Sequence, residues 1–424
     1  MTAWVERLRT AATSPATPYV GAVVVRAGSR AVWGLALPAV LTVGAYGRYQ
    51  LLATVAVMAA QLALLGTPQT IVRHAGRRIP MRAVLLHAVV IGAVLVVVTP
   101  LIFPTSRSTT TVAVLGAVVL TTILVTAYGA RAKARFAFAT SWYAELAGAA
   151  VLVVATSVVV VMARRGLVTP GLALAIEAFA LASTAVVLVV ALRRRSHDER
   201  NEAPPVAVPA FFGDVYSVGG LVLLDVVLFR RLEVYFLERS PDGLAGVAVL
   251  GLALQIAAVA LLVPTALLEA WQPKLALLRR DGGQTAFEDD VRRRARQFAP
   301  LMGATLLASV AVAVAAVALV FRQYQPWLWY IVAFVAIRVA CAGAGLYSTA
   351  LYAVGAQRGL YAPAIVAGIV AIAANAVLTR PMGLPGAVVA YLVTQVTVAG
   401  LTVLSFRRRT GPSSMTAASA ITAN

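Results

Sequence analysis

Residues 170–195 read PGLALAIEAFALASTAVVLVVALRRR, and residues 385–409 read PGAVVAYLVTQVTVAGLTVLSFRRR. Both open on Pro-Gly, run through an apolar stretch and close on three arginines. The Pro-to-Arg separations are 23 and 22 residues. The landmarks continue upstream: Tyr143-Ala144 begins 23 residues before Gly166, and Tyr361-Ala362 begins 22 before Gly383. Each Tyr-Ala pair is followed by an Ala-Gly step, Ala147-Gly148 and Ala367-Gly368, at offsets that differ by two residues. Apolar likeness between Ala/Val-rich helices carries no weight, but matched Pro-Gly, Tyr-Ala and triple-Arg landmarks do. The chain therefore reads as an internal repeat.

Composition says where the repeat resides. Of 424 residues, 61% are hydrophobic and only 12% charged. A soluble domain carries about 25% charged residues, so this chain cannot cover a water-facing surface. A bilayer span needs about 20 mainly apolar residues. Twelve such stretches are expected at 19–45, 50–72, 84–103, 112–131, 142–162, 169–192, 214–237, 243–268, 298–321, 327–352, 361–379 and 384–406. Lipid leaves backbone groups no external partner, so each span must be a helix or part of a closed barrel, and strand-like alternation is scarce. The expected fold is all-α, with two pseudo-symmetric six-helix lobes at 1–195 and 214–409. Residues 196–213, charged and then Pro-rich, read as a cytoplasmic linker, and 410–424 as a disordered cytoplasmic tail.

The 36 Lys+Arg against 16 Asp+Glu give a net charge of +20. On a soluble protein that excess would suggest nucleic acid. With the N-terminus inside, cytoplasmic segments hold 24 of the 36 basic residues, outer loops hold seven, and five lie within spans. Positive charge collects on the cytoplasmic side of membrane proteins, so both termini are expected there and nucleic acid is not a partner. Both halves then start on the same side. Parallel repeats of this kind belong to transporters with a central site. Residues 270–297 place Glu288, Asp289 and Asp290 ahead of Arg292 to Arg296, which suits a short surface helix and its dipole. Trp4, Trp271, Trp327 and Trp329 fall near expected interfaces. Met1 to Pro18 lacks the apolar core of a cleavable signal peptide. Cys341 is the only cysteine, and His74, His87 and His197 have no ligand spacing. No cofactor or metal is expected.

Four stretches carry a family resemblance. Tyr46-Gly47-Arg48-Tyr49 leads into a span ending Leu65-Gly66-Thr67-Pro68. Arg231 to Leu237 (RLEVYFL) is followed by Gly246-Val247-Ala248. Val354 to Ala362 (VGAQRGLYA) is a short basic loop. Ala374 to Leu378 (ANAVL) precedes Gly383 to Ala390 (GLPGAVVA). In this order and spacing, from about residue 20 to 406, the chain resembles the Wzx-type polysaccharide flippases of the multidrug/oligosaccharidyl-lipid/polysaccharide exporter (MOP) superfamily. It departs from them at Glu233, where the family usually has Asp, and at Ala248, where it often has Tyr. The resemblance implies the MATE-like fold. It also implies transport of a polyprenyl-diphosphate-linked oligosaccharide across the bacterial cytoplasmic membrane by alternating access. The partners would be that lipid-linked anion, membrane lipids, and neighbouring glycosyltransferases and a glycan polymerase. The protein is expected to be a monomer and not an enzyme.

An ionisable residue inside a span costs about 2.5–3.5 kcal/mol on insertion scales, so each is a candidate. Arg26 and Arg30 sit roughly 10 and 16 Å above the cytoplasmic end of the first helix. Their i,i+4 spacing puts them on one face. Guanidinium groups offer bidentate donors for a diphosphate, and Arg338, midway along the tenth helix, could match them from the other lobe. The bland reading of Arg26 is snorkelling to the inner surface. Asp225 could pair with Arg26 or Arg30, as a switch or as a structural salt bridge, or could couple an ion. Glu177, about 12 Å from the outer face, could carry a coupling proton. Arg230, Arg231 and Glu233 are expected near the outer end in contact with solvent, and Glu145 and Glu269 solvated near the cytoplasmic face. Asn375 reads as helix–helix glue. Two competing functions remain. An ion-coupled exporter of small cationic drugs would use Asp225 and Glu177, but the five intramembrane arginines oppose it. A membrane glycosyltransferase or polymerase needs a large extramembrane loop with paired carboxylates, and the outer loops are very short.

Overall fold

The computed structural model describes residues 17–74, 77–103, 108–135, 137–163, 165–195, 205–223, 232–353 and 361–410. Asp225, Arg230 and Arg231 lie outside them. Among the described residues the chain is almost entirely helical, and the only strand-like pairing is an isolated bridge between Arg78 and Pro205. Contacts divide the chain between Val226 and Val227 into two units.

The first unit contains α1 (Thr17–Val40), α2 (Val43–Leu64), α3 (Thr67–Arg73), α4 (Met81–Ile102), α5 (Thr109–Ala134), α6 (Phe138–Ala163), α7 (Pro170–Arg195) and α8 (Val208–Leu223). The second contains α9 (Leu232–Glu238), α10 (Gly243–Ala260), α11 (Leu262–Leu319), α12 (Leu328–Ala342), α13 (Gly345–Ala353), α14 (Tyr361–Ala374), α15 (Arg380–Met382) and α16 (Leu384–Thr410). The repeat is visible in the packing. In the first unit α2 packs on α4 and α5, α4 on α5, and α7 on α5 and α6. In the second, α10 packs on α11 and α12, α11 on α12, and α16 on α12 and α14. The two Pro-Gly helices, α7 and α16, thus hold the same place in their units.

Among the described residues, nine helices are long and apolar enough to cross a membrane, or ten if α2 and α3 form one bent span. The other two expected spans are α1, observed as a helix of 24 residues, and 214–237, which includes residues outside the described set. Lipid exposure explains the apolar surface. Leu86, Val90, Val94, Val97 and Leu101 form a stripe down α4, exposed by 67, 54, 57, 70 and 78%. In water such a patch would drive association; facing acyl chains it is the expected boundary.

Several spans are broken where one continuous helix was expected. The second bends by 44° between α2 and α3. Leu65 and Gly66 leave the helix with φ of 36° and 81°, and Pro68 then opens the first turn of α3, a position where its missing N–H costs nothing. Gly66 is also a contact point: a Cβ there would lie 3.1 Å from the Gly219 nitrogen and 3.2 Å from the Val215 oxygen of α8. Further ties hold α8 in the first unit. His74 Nε2 lies 2.8 Å from Asp214 Oδ2, with Arg73 Nη1 3.7 Å from Oδ1. The Val206 N–H donates to the Arg78 carbonyl at 3.0 Å. Helix α8 therefore begins inside the Pro-rich stretch read as linker.

The eighth span breaks at Leu261. The stretch assigned to α11 is two helical segments that meet at Gly283, whose φ of 75° and ψ of −173° are not helical. Glu288 to Arg296 lie near the start of the second segment, which continues to Leu319 rather than ending as a short surface helix. The tenth breaks between α12 and α13. The eleventh carries a π turn at Asn375–Thr379. There the fully buried Asn375 donates to the Ala371 carbonyl at 2.9 Å and accepts from Thr379 at 2.8 Å. The matched Pro-Gly starts are capped differently. Thr169 Oγ1 accepts from the Leu172 N–H at 3.2 Å at the head of α7. At the head of α16, the Leu384 N–H donates to the Asp242 carboxylate at 2.6 Å.

Candidate functional site

The first unit contains a narrow cleft between α1, α5, α6 and α7. Small residues shape it. Gly148 of α6 lies against Thr184 of α7, and a Cβ there would run into the Thr184 hydroxyl and sit 3.2 Å from the Ala180 carbonyl. That close approach sets the register of two carboxylates. Glu145 lies one turn before Gly148, and Glu177 one turn before Leu181. Both open onto the cleft, as do Arg26 and Arg30 of α1.

Arg26 Nη1 donates to Glu145 Oε1 at 3.5 Å. The Arg26 side chain is 38% exposed and that of Glu145 14%. Arg30, one turn along, is exposed. Glu177 Oε2 accepts from the Tyr49 hydroxyl at 2.9 Å. Tyr49 is itself buried and stacked on Tyr46, with ring centroids 6.1 Å apart. The cleft thus presents two guanidinium groups and two carboxylates. At an effective dielectric of about 20, opposite charges 4 Å apart attract by about 4 kcal/mol. Desolvation costs several kcal/mol per ion, so the Arg26–Glu145 pair sits near energetic balance and its partners are exchangeable.

Arg338 of α12 lies in the second unit. Its Nη1 donates to Gln395 Oε1 of α16 at 3.5 Å. The buried Tyr391 lies within electrostatic reach of both Arg338 and Glu233. Glu233 is 1% exposed, which overturns the expectation that it meets solvent. Glu145 departs from expectation too, because its solvent face is taken by α1 and α7. Arg26 opens onto the cleft from α1. Glu177, the candidate carrier of a coupling proton, shares the cleft with both arginines.

Tyr49 and Glu145 are the residues missed from sequence. Tyr49 stands in the quoted Tyr46-Gly47-Arg48-Tyr49 stretch, and Glu145 lies between the repeat's Tyr143-Ala144 and Ala147-Gly148 landmarks. Those positions were the available signal. Among the described residues no group of three or more His, Cys, Asp or Glu could hold a metal ion. The chemistry on offer is recognition of charge: fixed forks for phosphate or carboxylate anions, and carboxylates for a cation or a proton.

Comparison with known proteins identifies the fold. No protein-family model and no curated protein matches the chain. Solved structures do match over nearly its whole length. An inward-facing multidrug resistance MATE family transporter of the MOP superfamily aligns with a TM-score of 0.65 at 15% identity, covering 92% of this chain and 94% of the other. An outward-facing structure of the same kind aligns at 0.62 and 13% identity, covering 93% and 94%. A MOP superfamily transporter from Pyrococcus furiosus, described as having a binding pocket of reverse polarity that suggests a different function, aligns at 0.62 and 14%, covering 93% and 94%. The chain has the fold of MATE transporters of the MOP superfamily.

Proposed function

We propose that this chain is a flippase carrying a polyprenyl-diphosphate-linked oligosaccharide from the cytoplasmic to the outer leaflet of a bacterial cytoplasmic membrane. The observation that carries the reading is the placement of Arg26 and Arg30 one turn apart on α1, both opening onto one cleft. A diphosphate has two adjacent anionic centres, and two guanidinium forks at this spacing suit it. Arg338 is the cationic candidate for cargo binding within the second unit, where it donates to Gln395. Glu177 and Asp225 are the acids proposed to couple an ion to the cycle. Both termini face the cytoplasm, on the strength of the arginine bias. The protein works as a monomer alongside glycosyltransferases that build its cargo and a polymerase that consumes it. Fold alone does not select the cargo; the paired guanidinium forks of Arg26 and Arg30 support this one.

The test is lipid-linked oligosaccharide flipping in vesicles with wild-type protein and with Arg26→Ala plus Arg30→Ala. The double variant should lose most of the rate while Arg322→Ala keeps it. A double variant that flips at the wild-type rate would remove the arginines from the mechanism. A second reading draws on Glu145 and Glu177, which could bind a small organic cation beside the Tyr46–Tyr49 stack. The multidrug transporters that share the fold give that reading its context. Drug accumulation in an efflux-deficient strain separates the two: cation export predicts lower accumulation, reversed by Glu177→Gln.

A further inference from the structure

Glu145 is the residue that the flippase reading leaves unexplained. It holds the guanidinium that should receive a phosphate. The contact is single and 3.5 Å long, and the Arg26 side of it is the more exposed. Glu177 is differently placed, because the Tyr49 hydroxyl already satisfies one of its oxygens. The charged groups facing Glu145 are Arg26 and Arg30 on α1, Lys133 on α5 and Glu177 on α7.

We propose that Glu145 is an internal stand-in for the cargo's diphosphate, holding Arg26 while the cleft is empty and yielding it when a diphosphate enters, with uptake of one proton from the bulk buffer. The inference rests on the flippase reading. A diphosphate offers a guanidinium paired oxygens and greater charge, so it displaces one long carboxylate contact. The displaced carboxylate then faces phosphate charge and Glu177 in a partly desolvated cleft, and a proton on its own oxygen removes the repulsion. The proton is given up by the acid form of the bulk buffer, whose bond to it breaks as the carboxyl O–H forms; no other bond changes. Glu145 thereby becomes a positioning and selectivity residue. A weaker anion, such as a lone carboxylate, does not outcompete it, so the empty cleft rejects such anions by competition rather than by shape.

Calorimetry on the full chain in detergent tests this with geranyl diphosphate as the probe, in two buffers of different ionisation heat. Wild type should take up a proton on binding. E145Q should bind roughly fivefold tighter, the worth of a part-exposed ion pair, and lose the uptake. E145D keeps the charge with a shorter reach that weakens the hold on Arg26. It should retain the uptake and bind more tightly than wild type, and binding no tighter than wild type decides against the proposal if E145Q does not fold. Equal or weaker binding by the variants, with unchanged uptake in E145Q, overturns the role of Glu145 and leaves the flippase reading standing. If no form binds geranyl diphosphate, while tetraphenylphosphonium binds wild type and not E145Q, the flippase reading fails and this inference with it.

Discussion

The Tyr49 hydroxyl donates a 2.9 Å hydrogen bond to Glu177, joining the second span to the sixth across 128 residues of sequence. Tyr49 is buried while Glu177 is half-buried at the cleft, so the loss of the bond falls mainly on the tyrosine side. Tyr49→Phe should cost about 1–2 kcal/mol, the upper part of the range for hydrogen bonds within membranes. A double-mutant cycle with Glu177→Gln, read by thermal unfolding in detergent, should show coupling above about 0.5 kcal/mol. Additive losses would mean that the bond contributes nothing beyond its separate ends.

The bend in the second span depends on two glycines that touch. A Cβ on Gly219 would lie 2.9 Å from the Leu65 carbonyl oxygen, and backbone cannot swing aside as a flexible side chain can. Gly219→Ala should therefore destabilise by about 1–3 kcal/mol through overpacking. Gly129 on α5 has nothing within 4 Å of the same construction. Gly129→Ala should stabilise by about 0.5–1 kcal/mol, because alanine loses less backbone freedom in a helix. Opposite shifts in unfolding temperature check the pair.

Asp242 caps a helix 142 residues away. Asp242→Ala should cost about 1–2 kcal/mol, the range for a lost N-cap. Gly383 has φ of 66°, and a Cβ there would collide with the Asp242 carboxylate. Gly383→Ala should be tolerated better in the Asp242→Ala background than in wild type, because removing the carboxylate removes the collision. Only the backbone cost of holding alanine at φ 66°, ψ −134°, about 1–3 kcal/mol, then remains. Unfolding of the two single variants and the double variant gives the sign of the coupling.

His74 and Arg73 both address Asp214, and the nearby Val206 N–H is held by the Arg78 carbonyl at 3.0 Å. Asp214→Ala should loosen the start of α8 locally without unfolding the unit. Hydrogen exchange at Val206 and Phe211 should accelerate by about tenfold, since local opening is far less costly than global unfolding. Exchange on α5 should stay unchanged. Uniform acceleration would point to global destabilisation instead.

The helices and the repeat were legible because lipid imposes its requirement on every residue of a span, and because Pro-Gly and triple-Arg landmarks mark helix ends directly. The breaks were harder to read. Leu65 leaves the helix only because Gly66 must fit against Gly219 of α8, and nothing within the second span announces a contact with residue 219. Asp281-Gly282-Gly283 did mark a break, at Gly283; what the charge pattern after it did not show is that the next helix runs without interruption into the ninth span. The arginines were found individually, through the cost of burying charge. Their partners were not: Glu145 is 119 residues from Arg26, and periodicity along one helix says nothing about which helix will face it. Glu233 shows the same limit, being near a span end in sequence and fully enclosed in space.

The two guanidinium groups and two carboxylates of the cleft carry an electrical consequence. With all four ionised, their charges sum to zero. A voltage across the bilayer does work on net charge, about 2.3 kcal/mol per elementary charge per 100 mV. In the proposed cycle, an empty cleft of this composition contributes no net charge movement of its own. Current on the return stroke would then come from ionisable groups elsewhere in the spans, and current on the loaded stroke also from the cargo and any proton that travels with it.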